Sequence, residues 1–317
     1  MELDTTVQIT LNDLLDQHFD LYIAANGYET RCIFLSQRIN MSRINRKVAL
    51  SFLEKKNEIS RGFNDTVFHG LGFEFVNISM ASTSEIRQVL DLSVNQLVAD
   101  EMNILVDYSG MPKLWYEEII NYFIEKETGA RKINIWFSYT PSEYSQAIKN
   151  VKNKYFRTTA KVNISPKPKA LVIGLGYEKG RAEELAQKLK AEVTYSFYSD
   201  PAIDPRFVKE LIENNKDILK TSGIGRVITY PIHDLNFINS SLTQLCVDLR
   251  LKYQIVLAPI GPKPFTLMCF LLNARYPDIT IWRFSSEIPL EVYDRKPHGE
   301  LLIYKVRFTS ESVDYND

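Results

Sequence analysis

The residues that most suggest chemistry are two copies of one short string, Gly-Tyr-Glu. The first copy is GYETR, residues 27–31, and the second is GYEKGR, residues 176–181. A glycine lets backbone amides approach a ligand closely, and an arginine binds phosphate well. A glutamate can contact a ribose hydroxyl or a base amine, hold the neighbouring arginine, or act as a general base. These strings predict a site for a phosphate-bearing molecule, with simple surface ion pairs as the alternative.

A second pair of strings places a lysine directly after a proline. VDYSGMPK ends in Pro112-Lys113, and VLAPIGPK ends in Pro262-Lys263. Proline suits a helix start, where a lysine and the helix dipole together attract an anion. The alternative is a solvated lysine at the helix start.

The predicted ligand-binding residues lie on these two kinds of loop. They are Gly27, Tyr28, Glu29, Arg31, Ser109, Gly110 and Lys113 in the first half, and Gly176, Tyr177, Glu178, Arg181, Gly261 and Lys263 in the second. Glu29 and Glu178 are the candidates for a catalytic role if the site is enzymatic.

The strings belong to an internal duplication. Gly-Tyr-Glu recurs at 27 and 176, Ser-Phe at 51 and 196, Pro-Lys at 112 and 262, and Ile-Trp at 135 and 281. Short β-branched or aromatic runs alternate with helical stretches, which is typical of βαβ units and a parallel sheet. We predict an α/β fold with two tandem doubly wound, mostly parallel Rossmann-like domains. They occupy residues 1–153 and 169–317, and the polar stretch 154–168 is the predicted linker.

The predicted strands position both kinds of loop. They lie near 20–25, 47–52, 73–78, 103–108 and 132–138, and near 169–174, 192–198, 226–231, 253–258 and 279–284. Helices are predicted directly after the Gly-Tyr-Glu strings, near 28–39 and 178–190. With strand order 3-2-1-4-5, the loops after strands 1 and 4 flank one crevice in each half. The alternating stretch His298–Phe308 predicts an antiparallel C-terminal strand, which we expect at the edge of the second sheet.

Composition excludes several classes of function. The 317 residues include 38 Lys and Arg against 39 Asp and Glu, a net charge of -1, which argues against broad binding to duplex DNA. An acidic N-terminus and the lack of an 18-residue apolar run predict a cytoplasmic protein without membrane spans. Three cysteines and four histidines lack metal-ligand spacing, so we predict neither a metal site nor a disulfide framework.

The second half also carries a glycine pattern close to a dinucleotide fingerprint. It comprises Gly174, Gly176 and Gly180, and Asp200 follows 20 residues beyond the last glycine. The first half has Ala25 at the position that matches Gly174 and lacks the third glycine. We therefore predict no cofactor. This pattern and the IGPKP string nevertheless favour the second half over the first as the ligand-binding half.

The segment VLAPIGPKPFTLMCFLL resembles the strand and GTKxM loop of CARF domains, although Pro112 and Pro262 replace the threonine of that loop. The resemblance implies a Rossmann-like sensor of cyclic oligonucleotides in prokaryotic antiviral defence. It implies ligand contacts from the two Gly-Tyr-Glu loops and from Ser109, Gly110, Met111 and Lys113, with Ile260, Gly261, Pro262 and Lys263 in the second half. Because the two halves fill nearly the whole chain, it also implies a separate protein partner as effector.

Three functions follow as hypotheses. The first is a binding protein for a nucleotide-like small molecule. The second is a hydrolase of nucleotides or nucleic acid, in which a Gly-Tyr-Glu glutamate is the general base and Lys113 or Lys263 stabilises developing charge. The third is a scaffold subunit of a defence complex that binds no ligand.

Overall fold

The computed structural model describes residues 1–54, 56–96, 100–126, 132–145, 153–157, 166–177, 179–286 and 294–310. The chain forms two compact units. The first comprises Met1–Glu143 and Val292–Asp317, and the second comprises Tyr144–Glu291. The chain therefore leaves the first unit once, forms the second unit, and returns to the first.

The first unit is built on a seven-stranded sheet of order β1-β13-β6-β5-β2-β3-β4. Its strands are β1 (Glu2–Ile9), β2 (Phe19–Asn26), β3 (Ile44–Phe52), β4 (Glu74–Ile78), β5 (Glu101–Asp107), β6 (Lys132–Tyr139) and β13 (Leu302–Thr309). Its α-helices are α1 (Leu11–Leu15), α2 (Ile59–Gly70), α3 (Ser84–Asn95) and α4 (Lys113–Glu125), and two 3-10 helices span Thr30–Ile33 and Met41–Arg43. Helix α3 packs on α4, and α2 packs on the first 3-10 helix.

The second unit has a six-stranded sheet of order β10-β9-β8-β11-β12-β7. Its strands are β7 (Asn153–Arg157), β8 (Lys169–Gly174), β9 (Val193–Ser199), β10 (Val227–Tyr230), β11 (Gln254–Pro259) and β12 (Thr280–Ser286). Its helices are α5 (Arg181–Leu189), α6 (Pro205–Asn214), α7 (Lys216–Ser222), α8 (Leu235–Arg250) and α9 (Lys263–Arg275).

Both sheets contain the predicted five-strand core. We number the five core strands of each repeat 1 to 5 in chain order. Both sheets then have the order 3-2-1-4-5, which is β4-β3-β2-β5-β6 in the first and β10-β9-β8-β11-β12 in the second. Every pair within these cores is parallel. The prediction of two doubly wound, mostly parallel α/β sheets is confirmed. In each sheet, strands 1 and 4 are neighbours where the direction of winding reverses.

The C-terminal strand corrects the predicted domain plan. Strand β13 pairs antiparallel with β6 and β1 of the first sheet, not with the edge of the second sheet. Alternation predicts a half-buried strand, but it carries no information about which sheet edge the strand joins. The choice is fixed by packing, because Ile303 enters the apolar core of the first unit. Residues 302–309 therefore do not belong with the second repeat.

The antiparallel edge of the second sheet comes from the predicted linker. Strand β7, residues 153–157, pairs with β12, so the start of this polar stretch is part of the sheet. The linker residues 158–165 lie outside the described residues.

The segment after β2 also differs from its prediction. A helix is expected over 28–39, but the chain forms the 3-10 helix Thr30–Ile33 and then turns. Residues 31–36 are all buried. An amphipathic α-helix of six residues would expose part of its surface, so this segment instead packs irregularly between the sheet and α2.

Candidate ligand-binding edges

The two kinds of predicted loop meet at the carboxyl edge of each sheet. We call them the strand-1 loops, residues 27–30 and the described residues 175–177 and 179–180, and the strand-4 loops, residues 108–112 and 260–262. In the second unit, the amides of Ile260 and Gly261 donate to the Gly174 carbonyl at 2.9 and 2.8 Å. In the first unit, a Cβ placed on Gly110 would lie 2.5 Å from Cys32 Sγ and 3.4 Å from Ala25 Cβ. In both units the strand-4 loop thus packs against residues that flank the strand-1 loop.

Close packing explains two of the glycines at these edges. A Cβ on Gly27 would lie 3.0 Å from the Phe52 ring, and one on Gly174 would lie 2.4 Å from the Phe265 ring. Gly174 is the first glycine of the dinucleotide-like pattern. Its identity follows from the aromatic ring packed against it, without any cofactor.

Arg31 is buried and bound within the protein. Its side chain is 3% exposed. Its Nε donates to Glu29 Oε2 at 2.7 Å, and its Nη1 donates to the Thr140 carbonyl at 3.3 Å and the Tyr139 hydroxyl at 3.4 Å. Burial alone would lower the pKa of Arg31, but the Glu29 carboxylate raises it above its ordinary value. Arg31 therefore holds the strand-1 loop in place and does not present its charge to solvent.

Glu29 is held between two arginines. Its Oε1 lies 3.4 Å from Nε of Arg295, and its Oε2 accepts from Arg31. Because both carboxylate oxygens are engaged, the geometry favours a positioning role for Glu29 over that of a general base. The second catalytic candidate, Glu178, lies outside the described residues.

Apart from Glu178, the predicted ligand-binding residues divide into a buried and a half-buried set. Gly27, Arg31, Ser109 and Gly176 are buried, whereas Tyr28, Glu29, Gly110, Lys113, Tyr177, Arg181, Gly261 and Lys263 are half-buried. Only the second set faces the surface of the edges. Ser109 instead links two strands, because its hydroxyl donates to Asp107 Oδ1 at 2.5 Å and accepts from the Thr140 amide at 2.7 Å.

The two loop tyrosines are half-buried. Burial first, and then the nearby Glu29 carboxylate, raises the pKa of Tyr28 to about 12. Its hydroxyl therefore stays protonated at neutral pH and remains a hydrogen-bond donor. The Tyr177 ring packs against Phe207 with the ring centroids 5.4 Å apart.

Sequence reasoning missed an asparagine clamp on each strand-1 loop. Asn64 Nδ2 donates to the carbonyls of Gly27 and Glu29, both at 2.9 Å. Asn215 Nδ2 donates to the carbonyl of Gly176 at 2.8 Å. The two asparagines are 151 residues apart, close to the repeat separation, so a search for further matched residues would find them. The clamps fix the conformation of both loops and extend the internal duplication.

The repeated Ser-Phe pair also has a structural role. Phe52 stacks on Trp115 of α4 with centroids 4.6 Å apart, and Phe197 packs on Phe265 of α9 at 5.5 Å. Each pair joins strand 2 to the helix that follows the strand-4 loop. The repeat therefore preserves the support beneath each edge as well as the loops themselves.

Buried polar side chains are concentrated at the first edge. On neighbouring strands, Asn26 lies level with Ser51, and Asp107 with Ser138. All four are fully buried or nearly so. Burial of polar groups is costly, and such clusters are typical of functional sites. The structure thus places more buried polar side chains at the first edge, whereas the sequence motifs favoured the second edge as the ligand site.

In the described parts of the chain, no helix is long and apolar enough to cross a membrane. In the same residues, no group of three or more His, Cys, Asp or Glu side chains is arranged to hold a metal ion.

Comparison with known proteins does not assign the chain to a family. No family model matches the chain, and no curated protein matches it. A solved structure of the cytoplasmic domain of a prokaryotic cation chloride cotransporter is similar over 84% of this chain and 95% of that chain. The sequence identity is 8% and the TM-score is 0.26, values at which the similarity carries no argument about function. Function must therefore be argued from the edges themselves.

Proposed function

We propose that the chain is a binding protein for a nucleotide or another phosphate-bearing small molecule. The observation that carries the proposal is the packing of each strand-4 loop against the residues that flank the strand-1 loop, at the position where strand order reverses in both units. Ligands of open α/β sheets bind at this position. Each edge also has a lysine at a helix start, Lys113 of α4 or Lys263 of α9.

The charge at the edges supports an anionic ligand. Lys113 and Lys263 are half-buried, and Arg181 is half-buried at the start of α5. Pro112 and Pro262 occupy the N-cap positions of α4 and α9, and a proline side chain has no oxygen to accept the first helix amides. Anions are favoured at such helix starts.

Binding is favoured over catalysis at the first edge. The hydrolase hypothesis assigns proton transfer to the strand-1 glutamates, and Glu29 is engaged by Arg31 and Arg295. Burial raises the pKa of the Cys32 thiol to about 12, so a thiolate nucleophile is not formed there at neutral pH. By its resemblance to CARF domains, we extend the proposal to a sensor of cyclic oligonucleotides in antiviral defence that acts on a protein partner.

Thermal unfolding tests the proposal directly. The full chain is heated with AMP, ATP, a cyclic oligoadenylate or inorganic phosphate, and the small molecule is then analysed by mass spectrometry. A ligand present at 100 times its Kd stabilises the folded chain by about 2.7 kcal/mol. We expect a raised Tm with at least one nucleotide, which is recovered unchanged. Recovery of a product would support the hydrolase instead, and no shift with any compound would support the scaffold.

The double variant Lys113→Ala, Lys263→Ala tests the assigned site. We expect it to fold and to lose the nucleotide-dependent shift. Its control is Lys209→Ala, Lys220→Ala, which removes two exposed lysines from α6 and α7. If the first double variant binds as the parent does, these edges are not the site. Native mass spectrometry of the protein purified from its host tests for the proposed partner.

A further inference from the structure

A short segment that follows the second unit lies across the first edge. We call residues 294–298 the latch. The Asp294 carboxylate accepts from the Thr30 amide at 2.8 Å and from the Thr30 hydroxyl at 3.3 Å. The Arg31 amide donates to the Arg295 carbonyl at 3.2 Å, and the Arg295 side chain pairs with Glu29. The latch is therefore bound to the strand-1 loop and its 3-10 helix through both side chains and backbone.

The same segment is bound to the chain that leaves β6. The Glu143 amide donates to the Lys296 carbonyl at 3.0 Å, and the His298 amide donates to the Pro141 carbonyl at 2.9 Å. Between these two bonds, Ser142 and Pro297 form an antiparallel bridge. We call residues 140–143 the exit segment. The latch thus has the strand-1 loop as one partner and the exit segment as the other.

The exit segment and the latch flank the two points where the chain passes between the units. The unit boundaries fall after Glu143 and before Val292. The path out of the first unit and the path back into it are consequently joined to each other. They are also joined to the strand-1 loop within one set of hydrogen bonds. A change in this loop can therefore act on both the exit segment and the latch.

The bonds of the latch are easier to open than those of the sheet. Asp294 is exposed, and the Glu29 and Arg295 side chains are 18% and 31% exposed. Hydrogen bonds near solvent in a short segment open locally at much lower free energy than buried strands. The latch can therefore be released while the sheet remains folded.

We propose that residues 294–298 open and close as one unit, and that this movement couples the strand-1 loop to the exit segment. An anion at the first edge would compete with Glu29 for Arg295 and so favour release. Only that last step rests on the proposed function. The coupling of loop, latch and exit segment is a property of the protein without ligand.

Hydrogen exchange of the ligand-free full chain tests this coupling in the variant Asp294→Ala. The substitution removes only the two bonds to Thr30. If the latch is one cooperative unit, amide exchange rises about fivefold at Thr30 and also at Arg31, Glu143 and His298. Asp294→Asn keeps the side-chain shape and should give a smaller rise over the same amides, which keeps the test available if Asp294→Ala folds poorly.

The control is Asp13→Ala, at a site with matching bonds. The Asp13 carboxylate accepts from the Thr10 amide at 2.8 Å and the Thr10 hydroxyl at 2.7 Å, beside the start of α1. We expect its effect to stay within residues 10–15. An Asp294→Ala effect confined to Thr30, with Glu143 and His298 unchanged, would overturn the proposal. Because no ligand is present, failure of nucleotide binding leaves these outcomes unaffected.

Discussion

The ion pair between Glu29 and Arg31 should contribute strongly to the stability of the first unit. Removing one partner of a buried ion pair costs about 3–5 kcal/mol, because the other charge stays buried without it. The two side chains are 18% and 3% exposed, with 2.7 Å between Oε2 and Nε. Allowing for the partial exposure of Glu29, we expect Glu29→Ala to lower the free energy of unfolding by about 3 kcal/mol.

A double-mutant cycle isolates the contribution of the pair. Removing both charges in Glu29→Ala, Arg31→Met should cost little more than either single substitution, which gives a coupling energy of about 2 kcal/mol. Unfolding in urea is followed by tryptophan fluorescence in a Trp282→Phe background. The remaining tryptophans, Trp115 and Trp136, both lie in the first unit, so the signal reports on that unit alone.

An exposed pair provides the control for this cycle. Arg87 and Glu125, both in the first unit, are 41% and 58% exposed, with 2.8 Å between Nη2 and Oε2. Their coupling should not exceed about 1 kcal/mol. A coupling between Glu29 and Arg31 as small as that of the control would refute the assignment of Arg31 to a structural role. It would restore Arg31 as a residue available to a ligand.

Further predictions concern Cys32, Gly261 and Asn64 at the same edges. The Cys32 thiol, with its pKa raised by burial from 9.0 to about 12, should resist iodoacetamide at pH 8.5 until the chain unfolds. Its contribution to stability should be lost as pH rises from about 9 to 12, because the unfolded thiol ionises first, and urea unfolding at several pH values measures this loss. Gly261→Ala places a Cβ 2.3 Å from the Leu175 carbonyl oxygen and should cost about 1–3 kcal/mol in thermal unfolding, whereas Gly62→Ala, with no atom within 4 Å, should be neutral or stabilising. Asn64→Ala removes two bonds to the strand-1 loop and should cost about 2 kcal/mol by urea titration, with unchanged stability contradicting the clamp.

The sequence predicts the repeated core of the fold well. Alternation of apolar strands and helical stretches is a local property, and matched strings at nearly constant separation show that the second core repeats the first. The order 3-2-1-4-5 then follows from the rules for right-handed crossovers, and it brings Gly27 and Lys113 to one edge as predicted. The roles of these residues in ligand binding stay predictions.

Other features were beyond the reach of sequence patterns. The string TRCIFLS looks helical, yet residues 31–36 are all buried and the chain forms only a 3-10 helix at Thr30–Ile33. Strand β13 alternates as predicted but joins the first sheet, because the edge beside β6 can accept its apolar face. Arg31 matches a ligand-binding arginine in type and position, but Glu29 and the carbonyl of Thr140 already hold it.

Local patterns in the amino-acid sequence specify the α/β class, the duplication, and which loops follow strands 1 and 4. These features depend on periodicity and on the identity of residues close together in the chain. The folded structure was needed to tell which charges at the edges are partly exposed and which are held inside the protein. The physical reason is that burial and ion pairing depend on partners distant in sequence. Asp294 reaches Thr30 across 264 residues, and no local pattern specifies such a contact.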